Sequence, residues 1–222
     1  MALKRLAFFD FDRTLLAADS QREEALSLLK SPPGIAFLFR LLRVALAEPF
    51  YKRDLLSYGA YYRLYLSVYK GVPLNHLKAH GQRLYHQSLK NRLLRPMMER
   101  LCDHRQRGDG IVIVSATSEH LIAPFIGEIK PDAWRATAIE INKKGLCTGR
   151  PHGEICVGQA KANALLTIAN QMGVAPHNTV AYSDHHADLE FLKAAGNACA
   201  VNPTTVLRGI AKKNGWKIFT LP

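Results

Sequence analysis

The sequence has no long apolar run, little cysteine and a shortage of acid. Its longest hydrophobic stretch, Ile35 to Ala47, is 13 residues and is interrupted by Arg40 and Arg43. As a helix it would measure about 20 Å against roughly 30 Å of hydrocarbon, too short to cross a bilayer. Three readings stay open for it: an ordinary buried helix, a helix lying on a membrane surface, or one lining an apolar substrate entrance. The four cysteines, Cys102, Cys147, Cys156 and Cys199, form no C-x-x-C pair and no zinc-ligand spacing. That argues against a disulfide framework and a zinc module, and for reduced thiols in a cytoplasmic protein. The opening MALKRLAFFDFD runs into two acids without a small-residue cleavage site, so it is not expected to be a signal peptide. Internal repeats and low-complexity segments are missing too.

Acidic residues number 18 against 30 lysines and arginines, a net charge of +12. No block of five like charges occurs, so the excess is either a generally basic surface or a preference for anionic partners. Those partners could be phosphorylated metabolites, lipid headgroups or nucleic acid. No recognition helix or RNA-binding signature accompanies the charge, and a non-enzymatic basic binding module is disfavoured: no nucleic-acid partner is expected.

The apolar residues that are present fall into short runs. LAFFDF near the N-terminus, IVIVSA at 111–116 and TVAYSD at 179–184 read as strands buried on both faces, with ACAV at 198–201 a weaker fourth. Helical patterns alternate with them at 92–106, 118–129, 159–172 and 187–196. Such alternation predicts an α/β fold, a doubly wound and mainly parallel sheet covered on both faces. TAIEINKKGLCTGRP reads instead as a β-hairpin turning at KKG. Almost 100 residues separate the first two strands, far more than one crossover needs. Residues 20–92 look wholly helical, and the expected organisation is a core of 1–19 and 93–222 with an all-α cap of 20–92 inserted after the first strand.

Asp10 and Asp12 end that first strand. Residues two apart point to one side of a strand, and open α/β sheets place their ligand crevice at strand C-termini. Paired carboxylates there can hold a hard cation such as Mg²⁺; the plainer alternative is an exposed acidic turn. Three further segments bear on the choice: Ser115 ending IVIVSA, Lys161 in GQAKANAL, and YSDHHADLEFL with Asp184 and Asp188. With DFDRTLL at 10–16, their order, spacing and strand context resemble the haloacid dehalogenase superfamily. The likeness is narrower to subfamily IB, the branch of phosphoserine phosphatase and its relatives, which has a helical cap between the first and second motifs. It covers essentially the whole chain, least well in the cap.

The resemblance implies a phosphoric monoester hydrolase. Asp10 would be the nucleophile, forming an aspartyl-phosphate, and Asp12 the general acid and then base. Mg²⁺ would be held by Asp10, the Asp12 carbonyl and Asp184. Ser115, with the backbone near Ala116, would hold phosphoryl oxygens, Lys161 would offset transition-state charge, and Thr14 would fix the turn. Asp188 would anchor Lys161 or a metal-bound water, and His185 and His186, between Asp184 and Asp188, would touch the metal's ligands or the substrate rather than ligate Mg²⁺ themselves. His76 and His80 are four apart on a helix but have no third ligand.

Departures from the family pattern concern the substrate. Where many phosphoserine phosphatases carry a glutamate for the substrate amine, this chain has Asp19; where they carry a cap arginine, Tyr65 aligns, with Arg63 two residues earlier. Ala187 replaces an asparagine. Phosphoserine is therefore less favoured than another small phosphorylated metabolite. Tyr61, Tyr62, Tyr65 and Tyr69 either pack cap helices together or, with Arg63, form a pocket for an amphiphilic phosphate. A phosphatidylglycerophosphate-type lipid phosphatase with peripheral membrane contact, and a phosphotransferase, remain alternatives. Oligomeric state is left open.

Overall fold

The computed structural model describes residues 3–30, 32–53 and 55–221. Ser31, in the SPPG after the first helical pattern, and Asp54, inside another, lie outside the described residues. Six parallel strands form one sheet in the order β3-β2-β1-β6-β7-β8. They are β1 (Leu6–Phe9), β2 (Gly110–Ser118), β3 (Ala133–Thr137), β6 (Thr179–Ser183), β7 (Asn197–Val201) and β8 (Lys217–Phe219). β1 is central: Phe8 aligns with Val112 of β2 on one side and Ala181 of β6 on the other. All four of its residues are buried, as the unbroken LAFF run requires of a strand covered on both faces.

Two apolar layers cover the sheet. Phe9, Ile111, Ile113 and Tyr182 pack beneath α5 (Arg95–Gln106) and α6 (Glu119–Ile129). Leu6, Phe8, Val112 and Val114 pack beneath α7 (Gln159–Gln171), α8 (Leu189–Ala194) and α9 (Thr205–Lys213). The hairpin is β4 (Ile139–Ile141) with β5 (Cys147–Pro151). Its turn spans Asn142 to Gly145, whose φ of 74° suits glycine, and the Asn142 side chain accepts from the Lys144 and Leu146 N–H groups.

The strand reading missed β3 and β8. Both are sheet edges, and β3 carries exposed Trp134 and Arg135, so neither shows an apolar run.

Between β1 and β2 lie α1 (Ser20–Leu28), α2 (Ile35–Lys52), α3 (Tyr58–Leu66) and α4 (Leu74–Gln87). Asp19 caps α1 by accepting from the Arg22 N–H, and Ser57 caps α3 by accepting from Ala60. α4 crosses α6 at Gly81, where a Cβ would stand 2.6 Å from the His120 carbonyl oxygen. α2 runs five residues past the apolar stretch that marks it in the sequence, carrying Pro49 within it. It is not a buried helix: only Phe37 and Val44 are buried, and most of its large apolar side chains face outward. No helix among the described residues is long and apolar enough to cross a membrane.

Candidate active site

Asp10 directly follows β1, and its N–H donates to the Tyr182 carbonyl of β6 (3.0 Å), carrying the ladder one residue past the strand. The chain then reverses. Leu15 and Leu16 N–H groups both donate to the Phe11 carbonyl, and Arg13 takes a left-handed φ of 57°, unusual for a side-chain-bearing residue. Asp184 directly follows β6 and Lys161 stands in the first turn of α7. The C-terminal ends of β1 and β6 and one helix N-terminus therefore face one crevice, at β1, from which the sheet continues through β2 on one side and β6 on the other.

Lys161, Asp10 and Asp188 form the centre. The Lys161 ammonium donates to Asp188 Oδ2 at 2.6 Å and lies 2.8 Å from Asp10 Oδ1; Ser183 Oγ also donates to Asp188 Oδ2, at 2.7 Å. Asp10, Asp184, Asp188 and Lys161 are all buried. Burial pushes Asp10 above the usual carboxylate range, with Lys161 opposing and Asp188 adding to the shift. Burial raises Asp184 further, helped by the charges of Asp10 and Asp188. Burial would lower Lys161, but the two aspartates outweigh it and hold the ammonium form.

Asp12 faces a different set of partners. Ser20 N–H and Oγ donate to its two oxygens at 3.0 Å each, and Thr117 Oγ donates to Oδ2 at 2.8 Å. Burial, with the Asp19 charge second, pushes its carboxyl up to about 7. Ser115 Oγ donates to Thr117 Oγ (3.1 Å), which links strand β2 to Asp12 through one hydroxyl. The His185 ring accepts the Ala187 N–H at Nδ1, leaving Nε2 3.4 Å from the Tyr51 hydroxyl. Burial, then His186, drops His185 to about 4, so its ring is neutral.

Three buried acids around one lysine leave an excess of negative charge that a low-dielectric crevice tolerates poorly. An oxygen-rich donor set with that imbalance fits a hard divalent cation. No three acid, imidazole or thiol side chains among the described residues converge as a ready-made cage.

Above the acids opens a cavity of about 670 Å³. Asp10, Asp12, Asp19, Ser115, Ala116, Lys161, Asp184, His185 and Asp188 all line it. Two expected residues do not. Arg63 is exposed on α3 away from the cavity, because the α3 face that turns inward carries Tyr58, Tyr61, Tyr62 and Tyr65. Thr14 is fully buried beneath the turn; its hydroxyl finds no partner, and the turn is held by backbone bonds. Of the tyrosines, Tyr61, Tyr62 and Tyr65 line the cavity, whereas Tyr69 is buried and donates to Glu24, which also accepts from or pairs with His120 Nε2 at 2.7 Å. Asp19 is occupied by the α1 cap and lies 3.9 Å from Arg13. His76 and His80 stand outside the cavity lining.

Sequence reasoning missed Thr117, Ser20, Arg13, Arg22 and Tyr51. Thr117 had a signal, since it shares a strand face with Ser115 two residues before it. Tyr51, stacked on Tyr61 at 4.6 Å, had none, because α2 extends beyond the apolar run.

The profile of the haloacid dehalogenase-like hydrolases matches residues 7–193. The chain belongs to that family. Among relatives of this hydrolase is a phosphoserine phosphatase, SerB1, of Mycobacterium tuberculosis, 28% identical over 221 residues that cover 97% of this chain and 70% of that one. A histidinol-phosphatase of Neisseria meningitidis is 26% identical over 228 residues, covering 98% and 99%. A protein of unknown function from Bordetella pertussis superposes with a TM-score of 0.84 at 26% identity, covering 99% of this chain and 100% of its own. A substrate-bound phosphoserine phosphatase superposes at 0.74 and 21% identity over 97% and 92%, a likeness of fold. The two phosphatases among the curated relatives, SerB1 and the histidinol-phosphatase, agree with the phosphoric monoester hydrolase and small phosphorylated substrate expected from the four motifs.

Proposed function

We propose that the hydrolase is a Mg²⁺-dependent phosphatase working through an aspartyl-phosphate on Asp10. The observation that carries this is the 2.8 Å approach of Lys161 to Asp10 inside a crevice that also holds Asp184 and Asp188. In this reading the ammonium holds one oxygen of Asp10 and the other attacks the substrate. Asp10 attacks phosphorus, the P–O ester bond breaks, and the leaving alkoxide takes a proton from Asp12. Water then attacks the phosphoryl group, Asp12 takes the water's proton, and phosphate leaves with Asp10 regenerated. Ser115 and the Ala116 N–H hold phosphoryl oxygens, and Lys161, positioned by Asp188, offsets charge at phosphorus. Asp10, Asp184 and the Asp12 carbonyl would hold Mg²⁺, which supplies electrostatic attraction between the anionic nucleophile and the anionic phosphate.

In this reading residues 20–92 are a cap over a core of 1–19 and 93–222, and the cap sets the substrate. Besides the acids and the charged Arg13, Arg22, Glu48 and Lys52, the lining carries aromatic and aliphatic side chains, Tyr58, Tyr61, Tyr62, Leu41 and Val44. That lining suits a phosphate carrying a ring or a short apolar body better than phosphoserine, and Asp19 is already committed to its helix cap. A cytoplasmic small metabolite is the first reading; an amphiphilic lipid headgroup phosphate is the second, favoured by the aliphatic Leu26, Leu29 and Ala45 in the lining.

Asp10→Asn tests the chemistry. It is expected to lower Mg²⁺-dependent hydrolysis of an aryl phosphate by about four orders of magnitude with an unchanged circular dichroism spectrum. Substantial remaining turnover would remove Asp10 as nucleophile. A screen of phosphorylated metabolites and micellar lipid phosphates chooses between the substrate readings.

A further inference from the structure

Helix α2 is apolar on two faces, and the protein covers one. Leu41, Val44 and Ala45 look into the cavity. The opposite face exposes Ile35 (73%), Phe39 (64%), Leu42 (55%), Leu46 (64%) and Phe50 (56%), with Leu38 beside them and Leu55 just past the helix end. These seven are more than half of the thirteen large apolar side chains exposed among the described residues, so the apolar surface is concentrated rather than scattered. On a helix, positions 35, 38, 39, 42, 46 and 50 fall within about 120° of arc and extend over roughly 22 Å. A shallow depression lined by Leu46, Phe50, Leu55, Leu56, Leu64 and Arg43 continues the stripe onto α3.

Among the described residues, the charged side chains at the margins of the stripe are cationic. Arg43 is exposed along one margin, about 100° round the helix from Leu42. Arg53 is exposed where the helix ends. The acid of α2 among the described residues, Glu48, is paired with Lys52 at 2.7 Å and turns toward the cavity. An apolar stripe with cations at its margins is the pattern of a helix lying in a bilayer interface, its arginines reaching headgroup phosphates while its side chains enter the acyl boundary.

We propose that α2 docks this chain, helix axis in the membrane plane, onto an anionic lipid bilayer. A net charge of +12 attracts such a surface and repels a second copy of the protein, and it is this charge that favours lipid over self-association. Since the inner face of the same helix walls the cavity, docking brings the cavity beside the headgroups. The inference concerns binding alone and stands or falls without the catalytic reading.

The test is sedimentation of the full chain with vesicles of mixed phosphatidylcholine and phosphatidylglycerol, and of phosphatidylcholine alone. Binding is expected to the anionic vesicles, weakening as salt rises. The double variant Leu42→Asp with Leu46→Asp should bind at least about tenfold more weakly while hydrolysing a soluble aryl phosphate at the parent rate. Arg43→Gln with Arg53→Gln, which leaves the apolar stripe intact, should bind about tenfold more weakly. The proposal is overturned if neither vesicle binds, or if the aspartate variant binds as the parent does. It is overturned equally if the parent sediments as a dimer that this variant converts to monomer, since a second copy would then own the stripe.

Discussion

At the residue scale the site is governed by a charge imbalance around Lys161. Its ammonium is shared by Asp10 and Asp188 while Asp184 adds a third buried acid, so removing the cation strands charge among buried groups. Lys161→Met should therefore lower both turnover, by about two to three orders of magnitude, and metal-free stability, by roughly 3 kcal/mol in urea unfolding. Loss of activity alone, with unchanged stability, would mean that the acids are already neutral without it. The cysteines give an independent reading of burial. All four are free thiols, Cys102 exposed and the others buried. Burial pushes Cys147 up to about 11 and Cys156 up to about 12, because a thiolate is poorly solvated inside the protein. At pH 8 both remain protonated and unreactive. A maleimide should accordingly label Cys102 alone in the folded protein and all four after denaturation, as counted by intact mass.

At the scale of elements, the close crossing of α4 and α6 ties the helical insertion to the sheet. Gly81→Ala would drive a methyl against the His120 backbone, which cannot swing aside as a side chain could. A loss of about 1–3 kcal/mol in urea unfolding is expected. Because His120 pairs with Glu24 of α1 at 2.7 Å, the same substitution should loosen that contact as well. Elements buried on both faces were readable in advance: β1, β2 and β6 appear as apolar runs ending in the site residues. β3 and β8, at the sheet edges, carry no such pattern. The hardest case was α2. Its apolar run suits burial, a membrane surface or a substrate entrance equally, and hydrophobicity alone does not say which face of a helix its neighbours cover.

For the whole molecule, metal binding and folding should be linked, since the acids that would hold the ion converge only in the folded chain. Saturating Mg²⁺, at about 100 times its dissociation constant, would add about 2.7 kcal/mol and raise the melting temperature by roughly 5–10 °C. Asp184→Asn should abolish that shift. Chelation should likewise abolish turnover, and Mg²⁺ restore it. A melting temperature indifferent to Mg²⁺ in the parent protein would count against the ion site whatever the activity showed.

The sequence alone determined the parallel α/β class, the family and the residues that meet at Asp10, because buried strands and the acids at their ends are local patterns. Tertiary structure decided what those patterns cannot encode. It set Arg63 outside the cavity and Arg13, Arg22 and Tyr51 along it, tied Asp12 to Thr117 and Ser20, and left the outer face of α2 bare. Each of these depends on which helix packs against which, and packing is settled by the whole set of competing apolar faces rather than by any one segment.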